Sequence, residues 1–111
     1  MAVILIPGLR LGRGKNDREH HMTRARRVKR ERAAVGWALR TAARPALPCT
    51  VTMTRISPSA GLDDDNLVGS LKAVRDAVAD WLGVDDRDSL TVRYLCAQER
   101  GAWGVRVEFA S

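Results

Sequence analysis

The apolar side chains between residues 67 and 81 limit the fold of this chain more than any other feature. Their spacing of i, i+4, i+7, i+11 and i+14 places them on one side of an α-helix. These residues are Leu67, Leu71, Val74, Val78 and Trp81. Gly83 follows where a left-handed helix C-cap is favoured. Because a helix with one apolar side must cover an apolar surface of another element, the chain is expected to form a packed core.

Four other segments favour β-strands. Residues 49–54, 90–96 and 103–109 alternate between apolar and polar side chains, with the period of two that is typical of a half-buried strand. The opening segment AVILIP is a short apolar run that predicts a buried strand. The chain is therefore expected to form a sheet on which the helix can pack.

A second helix is predicted from Thr23, a plausible N-cap, to a point before Pro45. Its apolar residues also follow one helical stripe: Val28, Val35, Leu39 and Ala42. The combined pattern predicts an α/β (α+β) fold, in which a mixed sheet packs against two helices in the order β-α-β-α-β-β. With 111 residues the chain fits a single domain, residues 1–111, with one modest core.

Composition and the apolar residues also limit the environment of the protein. No apolar run approaches the roughly 20 residues that a membrane span needs, and the opening segment lacks the basic leader and cleavage site of a signal peptide. Cys49 and Cys96 follow no metal or redox pattern and are expected to be buried free thiols, which favours a cytoplasmic location. The three tryptophans, Trp37, Trp81 and Trp103, are expected to lie in the core.

Positive charge is concentrated between residues 10 and 44. This segment carries twelve Arg or Lys against three acidic residues, in a chain of net charge +6. A solvated helix surface is the simpler explanation, but the excess favours binding to the phosphate backbone of DNA. The residues expected to bind DNA are Arg18, Arg24, Arg26, Arg27, Lys29 and Arg30. His20 and His21 could contact nucleic acid, but no Ser or Cys nucleophile pairs with them.

Three consecutive aspartates precede the helix of residues 67–81. One of Asp63, Asp64 and Asp65 could cap that helix while its neighbours interact with the helix dipole. Alternatively, a bound cation relieves the repulsion among the three carboxylates, whose oxygens suit Mg²⁺. In an extended approach to the helix, Asp63 and Asp65 point to the same side, so they form a plausible pair of ligands.

Two further charged features lie along and beyond this helix. Asp85 and Asp86 come about 25 Å after the first aspartates if the helix is straight, so a simple charged loop is one explanation for them. Lys72 could neutralise a phosphate near the metal-bound carboxylates. It could equally pair with Asp76 at i+4 on the surface of the helix.

The order of these motifs resembles the RusA family of Holliday junction resolvases. The resemblance rests on DDDNL, on Lys72 within KAVRDAV, and on WLGVDDRDSL, and it spans about residues 47–109. It implies that Asp63 and Asp65 are the first two metal ligands. Asp86 is implied as the third ligand, with Asp85 as the alternative.

The same resemblance implies that Lys72 is the essential lysine, although it stands six residues after Asn66 where the family pattern has about three. Asp63, Asp65, Asp86 and Lys72 are thus the expected catalytic residues. Asp64 occupies the variable position of the motif and either supports the site or is incidental.

The resemblance implies a homodimeric endonuclease that uses Mg²⁺, with Mn²⁺ as a substitute, and no small-molecule cofactor. Its expected substrate is branched DNA, which it nicks symmetrically in a bacterial or phage-infected cell. One alternative is a catalytically inactive DNA-binding protein of the RusA fold. A weaker alternative is an interaction protein whose acidic loop docks a basic partner.

Overall fold

The computed structural model describes residues 2–13, 21–85 and 87–111. Within these ranges it has four strands and three helices, and it confirms the mixed α+β architecture. In chain order they are β1 (Ala2–Pro7), α1 (His21–Leu39), β2 (Cys49–Ser57), α2 (Asp64–Ser70), α3 (Lys72–Leu82), β3 (Val92–Arg100) and β4 (Gly104–Ala110). The strands form one sheet in the order β1-β4-β2-β3.

The sheet is mixed because its two outer pairs run in different senses. Strand β4 is antiparallel to both β1 and β2, whereas β2 and β3 are parallel. Parallel neighbours need a crossover connection, and α2 and α3 supply it. The carboxyl ends of β2 and β3 therefore lie side by side at one edge of the sheet, where the loop that carries Asp63 begins.

The core lies between the helices and one side of the sheet. The register places Val51 of β2 opposite Phe109 of β4 and Tyr94 of β3. Because side chains alternate along a strand, every second residue of each strand faces the helices. The buried strand residues on this side include Cys49, Val51, Met53, Val92, Val105, Val107 and Phe109. They pack in one cluster with the apolar residues of the helices, which include Leu67, Leu71, Val74 and Val78.

The predicted helix of residues 67–81 is divided into α2 and α3 at Leu71. Leu71 has φ −94° and ψ 0°, outside the α region. Its N–H bonds to the carbonyls of both Leu67 and Val68, so the last turn of α2 tightens towards 3₁₀ geometry. The expectation of two helices is corrected to three, while the left-handed C-cap at Gly83 is confirmed by its φ of 72°.

Helix α1 packs alongside α3 through the stripe that the sequence predicts. Val35 and Leu39 are fully buried, and Val28 is half-buried. The proposed N-cap at Thr23 is wrong, because α1 already includes His21 and the residues before it lie outside the described ranges.

Helix α1 also buries a charged residue that the apolar pattern does not predict. Glu31 is 1% exposed. Its carboxylate accepts hydrogen bonds from the Gly12 N–H, at 3.0 Å, and from the Arg27 guanidinium, at 3.0 and 3.1 Å. A side chain at position 12 would overlap the Arg27 guanidinium. Glu31 therefore fastens the loop after β1 to the surface of α1.

The three tryptophans differ in their exposure to solvent. Trp81 is half-buried, with its ring centroid 5.5 Å from that of Phe109, and Trp103 is also half-buried. The expectation that Trp37 lies in the core is wrong, because it is 69% exposed. None of the helices in the described ranges is long and apolar enough to cross a membrane.

We expect Glu31→Ala to lower the free energy of unfolding by about 3 kcal/mol, because removing one partner of a buried ion pair leaves the other charge uncompensated. Asp80→Ala is the matched control. Asp80 binds Arg32 at 2.6 Å, but its side chain is 72% exposed, so its loss should cost at most about 1 kcal/mol. Urea unfolding of both variants measures the difference, and equal losses would contradict a structural role for the buried pair.

Candidate functional site

Asp63 caps helix α2, as one of the two interpretations of the aspartates predicts. It has extended backbone geometry, and its Oδ1 accepts a hydrogen bond from the Asn66 N–H at 2.9 Å. Its Oδ2 accepts a second bond from the side-chain amide of Asn66 at 3.1 Å. Each carboxylate oxygen keeps a second lone pair, so capping leaves Asp63 able to bind a cation.

The loop before Asp63 is fastened to strand β3 by a reciprocal pair of hydrogen bonds. The Leu62 N–H donates to Oε1 of Gln98, and Nε2 of Gln98 donates to the Leu62 carbonyl, both at 2.8 Å. Gly61 allows this approach, since a Cβ there would lie 2.9 Å from the Gln98 oxygen. Gln98 thus sets the position of the first aspartate relative to the sheet.

Asp64 and Asp65 lie in the first turn of α2 and are exposed. Within the described part of the chain, no three His, Cys, Asp or Glu side chains form a group that could hold a metal ion. Asp86, the expected third ligand, lies outside the described residues. The predicted ligand set of Asp63, Asp65 and Asp86 therefore stays a prediction.

The loop after α3 is organised by its own carboxylates. Asp85 accepts a hydrogen bond from the Arg87 N–H at 2.9 Å and lies 3.4 Å from the Arg87 guanidinium. Asp88 accepts a 2.7 Å bond from the Thr91 hydroxyl, and this bond is the main reason that the pKa of Asp88 is lowered. Local turn contacts therefore account for two acidic residues next to Asp86.

Lys72 is the first residue of α3 and lies at the surface. Its Nζ is 3.5 Å from Oδ2 of Asp76, and its side chain is 70% exposed, so the expected i+4 pair forms. Lys72 also lines a cavity of about 250 Å³ between α1 and the two later helices, which Arg24, Arg27 and Glu31 line as well. The predicted lysine and two of the predicted DNA-binding arginines thus border one cavity.

A second cavity, of about 280 Å³, lies on the other side of Lys72. Arg75 and Tyr94 line it together with Lys72, and the Arg75 guanidinium lies 4.7 Å from the centre of the Tyr94 ring. Cys96 also borders this cavity. Burial raises the pKa of both Cys49 and Cys96, so at neutral pH these thiols are protonated and poor nucleophiles.

The other predicted DNA-binding residues have different environments. Arg24, Arg26, Lys29 and Arg30 are exposed on α1, and Arg27 is half-buried in its ion pair with Glu31. Arg18 and His20 lie outside the described residues. His21 is exposed at the start of α1.

Trp37 belongs to the same outer surface of α1. With Arg26 and Arg30 it follows the spacing i, i+4, i+11, so the three side chains lie on one side of the helix. The Arg40 guanidinium lies 3.9 Å from the centre of the Trp37 ring. The sequence analysis places this residue in the core, although the helical period puts Trp37 on the opposite side of α1 from the apolar stripe and so indicates that it is exposed.

Arg55 is the second residue that the sequence reasoning missed. It lies in β2 on the side that faces the helices, and although its side chain is charged it is only 3% exposed. The signal was present in the sequence: the alternation of Cys49, Val51 and Met53 calls for an apolar residue at position 55. A charge at such a position indicates a specific role.

No known protein-family model matches this chain, and no curated protein matches it. The fold is a mixed α+β architecture in which Lys72 of α3 borders one cavity with Arg24 and Arg27 of the basic helix α1, and in which Asp63 caps α2. The arrangement of these side chains is therefore the basis for proposing a function.

The two roles of Asp63 can be separated by substitution. We expect Asp63→Ala to lower the free energy of unfolding by about 1 kcal/mol through loss of the cap, and Asp63→Asn to change it by less than about 0.5 kcal/mol, because Asn caps as well as Asp. Thermal and urea unfolding measure both effects. Equal destabilisation by the two variants would show that the negative charge, rather than the cap, supports α2.

Proposed function

We propose that this protein is a RusA-like, Mg²⁺-dependent endonuclease that binds four-way DNA junctions and resolves them by paired symmetric nicks. It would then be a crossover junction endodeoxyribonuclease, a phosphodiester hydrolase of DNA recombination and repair. The observation that carries the proposal is the cavity shared by Lys72, Arg24 and Arg27. It joins the helix that follows the aspartates to the most basic helix of the chain.

The residues around this cavity have complementary roles in the proposal. Asp63 and Asp65, with Asp86, hold Mg²⁺. When bound, the metal ion activates water and stabilises the charge on the scissile phosphate. Lys72 has three N–H donors and, among the described residues, one carboxylate partner, Asp76, so it can also donate to a phosphate oxygen. Its exposure makes that approach accessible to DNA.

The outer surface of α1 supports DNA binding independently of the aspartates. Arg26 and Arg30 can neutralise backbone phosphates, and Trp37 offers an exposed ring on which a base can stack. Trp side chains are highly buried on average, so an exposure of 69% is unusual for this residue type. Stacking between the arms of a four-way junction is interrupted at an open branch point, so the exposed faces of the base pairs there are suitable partners for such a ring.

A homodimer fits the same substrate. A four-way junction presents two equivalent scissile phosphates, and a two-fold dimer would present two equivalent sites. Within this proposal the protein acts in the cytoplasm of a bacterial or phage-infected cell.

The main rival proposal is a DNA-binding protein of the same fold without nuclease activity. Asp63 and Asp85 both bond to neighbouring residues, and that observation is what a purely structural role for the carboxylates requires. This rival predicts salt-sensitive junction binding and no nicking with any divalent ion.

Cleavage of a synthetic four-way junction tests the proposal most directly. We expect symmetric nicks that require Mg²⁺ or Mn²⁺, and a loss of at least about 100-fold in rate for Asp65→Asn, because a metal ligand supplies several kcal/mol of transition-state stabilisation. Asp80→Asn, an exposed change on α3, is the control and should cut at the wild-type rate. Cleavage by Asp65→Asn at the wild-type rate would overturn the metal-site assignment, and junction binding without any nicking would favour the rival.

The outer surface of α1 gives a separate prediction for binding. The double variant Arg26→Ala and Arg30→Ala should make the negative slope of log affinity against log salt shallower by about 2, since each phosphate contact contributes about −0.9 on duplex DNA. Trp37→Ala should weaken junction binding about 10-fold while keeping the slope, because stacking releases no counterions. Arg93→Ala is the control, because Arg93 is exposed on the side of the sheet away from the helices. Salt titrations of junction affinity measure all three, and an unchanged slope in the double variant would remove α1 from the interface.

A further inference from the structure

The side chain of Arg55 is a buried cation that the proposed catalytic site does not use. Its Nε is buried without a hydrogen-bond partner among the described residues. Burial lowers the pKa of its guanidinium, and the positive charges of Arg13 and Arg10 lower it further. An arginine nevertheless keeps its proton in a protein. The fold thus holds a full positive charge in a place where burial and like charges both disfavour it.

A second arginine, Arg10, lies close to the Arg55 guanidinium, and both contact the ring of Trp103. The Trp103 ring lies 5.5 Å from the Arg55 guanidinium and 4.7 Å from that of Arg10. The Gly8 N–H donates to the Trp103 carbonyl at 2.7 Å, which holds the loop that carries Arg10 and Arg13 at the start of β4, the strand next to β2. The ring offsets some of the cost of burial, but it does not neutralise the charges.

Arg55 lines a cavity of about 300 Å³ beyond the carboxyl ends of β2 and β3, which we call the Arg55 pocket. The residues that line it include Arg55, Ser57, Ser59, Gly61, Gln98 and Glu99. In sheets with parallel strands, ligands commonly bind beyond the carboxyl ends. The pocket is lined by Ser59 and Gly61 of the loop that leads to Asp63, so a group bound there would contact the same loop that carries the first aspartate.

Hydroxyl donors complete the chemistry of the pocket. The hydroxyl oxygens of Ser57 and Ser59 are 2.8 Å apart, and the Ser59 N–H donates to the Ser57 oxygen at 3.1 Å. Whichever hydroxyl donates to the other, one hydroxyl hydrogen stays available for a ligand. The carboxylate of Glu99 also borders the pocket, but two bonds from Arg106 hold it, at 3.0 and 3.1 Å.

A buried charge is expensive unless an opposite charge or several hydrogen bonds accompany it. Arginine is well suited to phosphate because its planar guanidinium can donate two parallel hydrogen bonds to two oxygens. We propose that the Arg55 pocket is an oxyanion site that takes a phosphate group. Resting on the proposed function, we assign that group to the backbone of the DNA strand that is bound beside Asp63.

The thermal stability of the whole protein in phosphate tests the oxyanion site without DNA. Compared with chloride at equal ionic strength, inorganic phosphate should raise the Tm of the wild type by about 4 °C or more, because a ligand that binds only the folded state stabilises it. Arg55→Met should lose this gain while its Tm in chloride stays equal or rises, because the unpaired charge is gone. Arg93→Met, an exposed change on the opposite side of the sheet, should keep the gain.

A second variant covers the case in which Arg55→Met does not fold. Ser59→Ala changes an exposed residue of the pocket, so it should fold normally and reduce the phosphate gain. A phosphate gain that is absent in the wild type, or that survives in both pocket variants, would overturn the oxyanion site.

Junction affinity then identifies the source of the phosphate. Arg55→Met should bind the junction about 10-fold more weakly than Arg93→Met, which corresponds to the loss of one charge-assisted contact. If the phosphate gain depends on Arg55 but junction affinity does not, the pocket takes a free phosphate compound and the DNA assignment is wrong. If the wild type neither binds nor cuts junctions, the proposed function fails while the phosphate gain still reports on the pocket.

Discussion

Burial of one apolar stripe against the sheet determines where the charged residues of this protein stand. Leu71, Val74 and Val78 are fully buried beside Val51, Val107 and Phe109. Rotation of α2 or α3 about its axis would expose these side chains, at a cost of about 1.5–3 kcal/mol for each one. The exposed residues of the same helices are therefore fixed in direction. This is why Lys72 faces the cavity beside α1 and why Asp64 and Asp65 face solvent.

Charge in this protein is used in two ways. Where a buried charge supports the fold, it has partners: Glu31 bonds to Arg27 and to the Gly12 N–H, and these contacts hold a loop on α1. Arg55 has the same degree of burial but cationic neighbours. Glu31 is therefore a buried charge that the folded chain itself neutralises. Arg55 is not, and because an unsatisfied buried group lowers stability, its presence is explained by the ligand that we propose for it.

The prediction of local structure from the sequence succeeded where the period of the apolar residues is long and regular. The stripe of α2 with α3 is confirmed, as are the alternating residues within β2, β3 and β4. Three parts of the expectation are wrong: α1 ends before Ala42, Leu90 lies before β3 and is exposed, and β1 is only partly buried. The errors occurred where a single residue decides the outcome. Leu71 fits the helical period, so its spacing could not reveal the interruption, and Trp37 is apolar by composition although its position on α1 faces away from the core. Cys49 and Cys96 are both free thiols, as expected, but only Cys49 is buried, whereas Cys96 is half-buried.

The sequence by itself determined which segments are helices and strands, which side of each is apolar, and that cations and carboxylates lie in separate segments. These properties depend on neighbours along the chain, since side-chain direction repeats with the period of the backbone. Only the tertiary structure decided that Arg24 and Arg27 share a cavity with Lys72, that Gln98 anchors the loop before Asp63, and that Arg55 is buried beside Ser57. These contacts join residues far apart in sequence, so they exist only once the strand order and the helix packing bring the elements together.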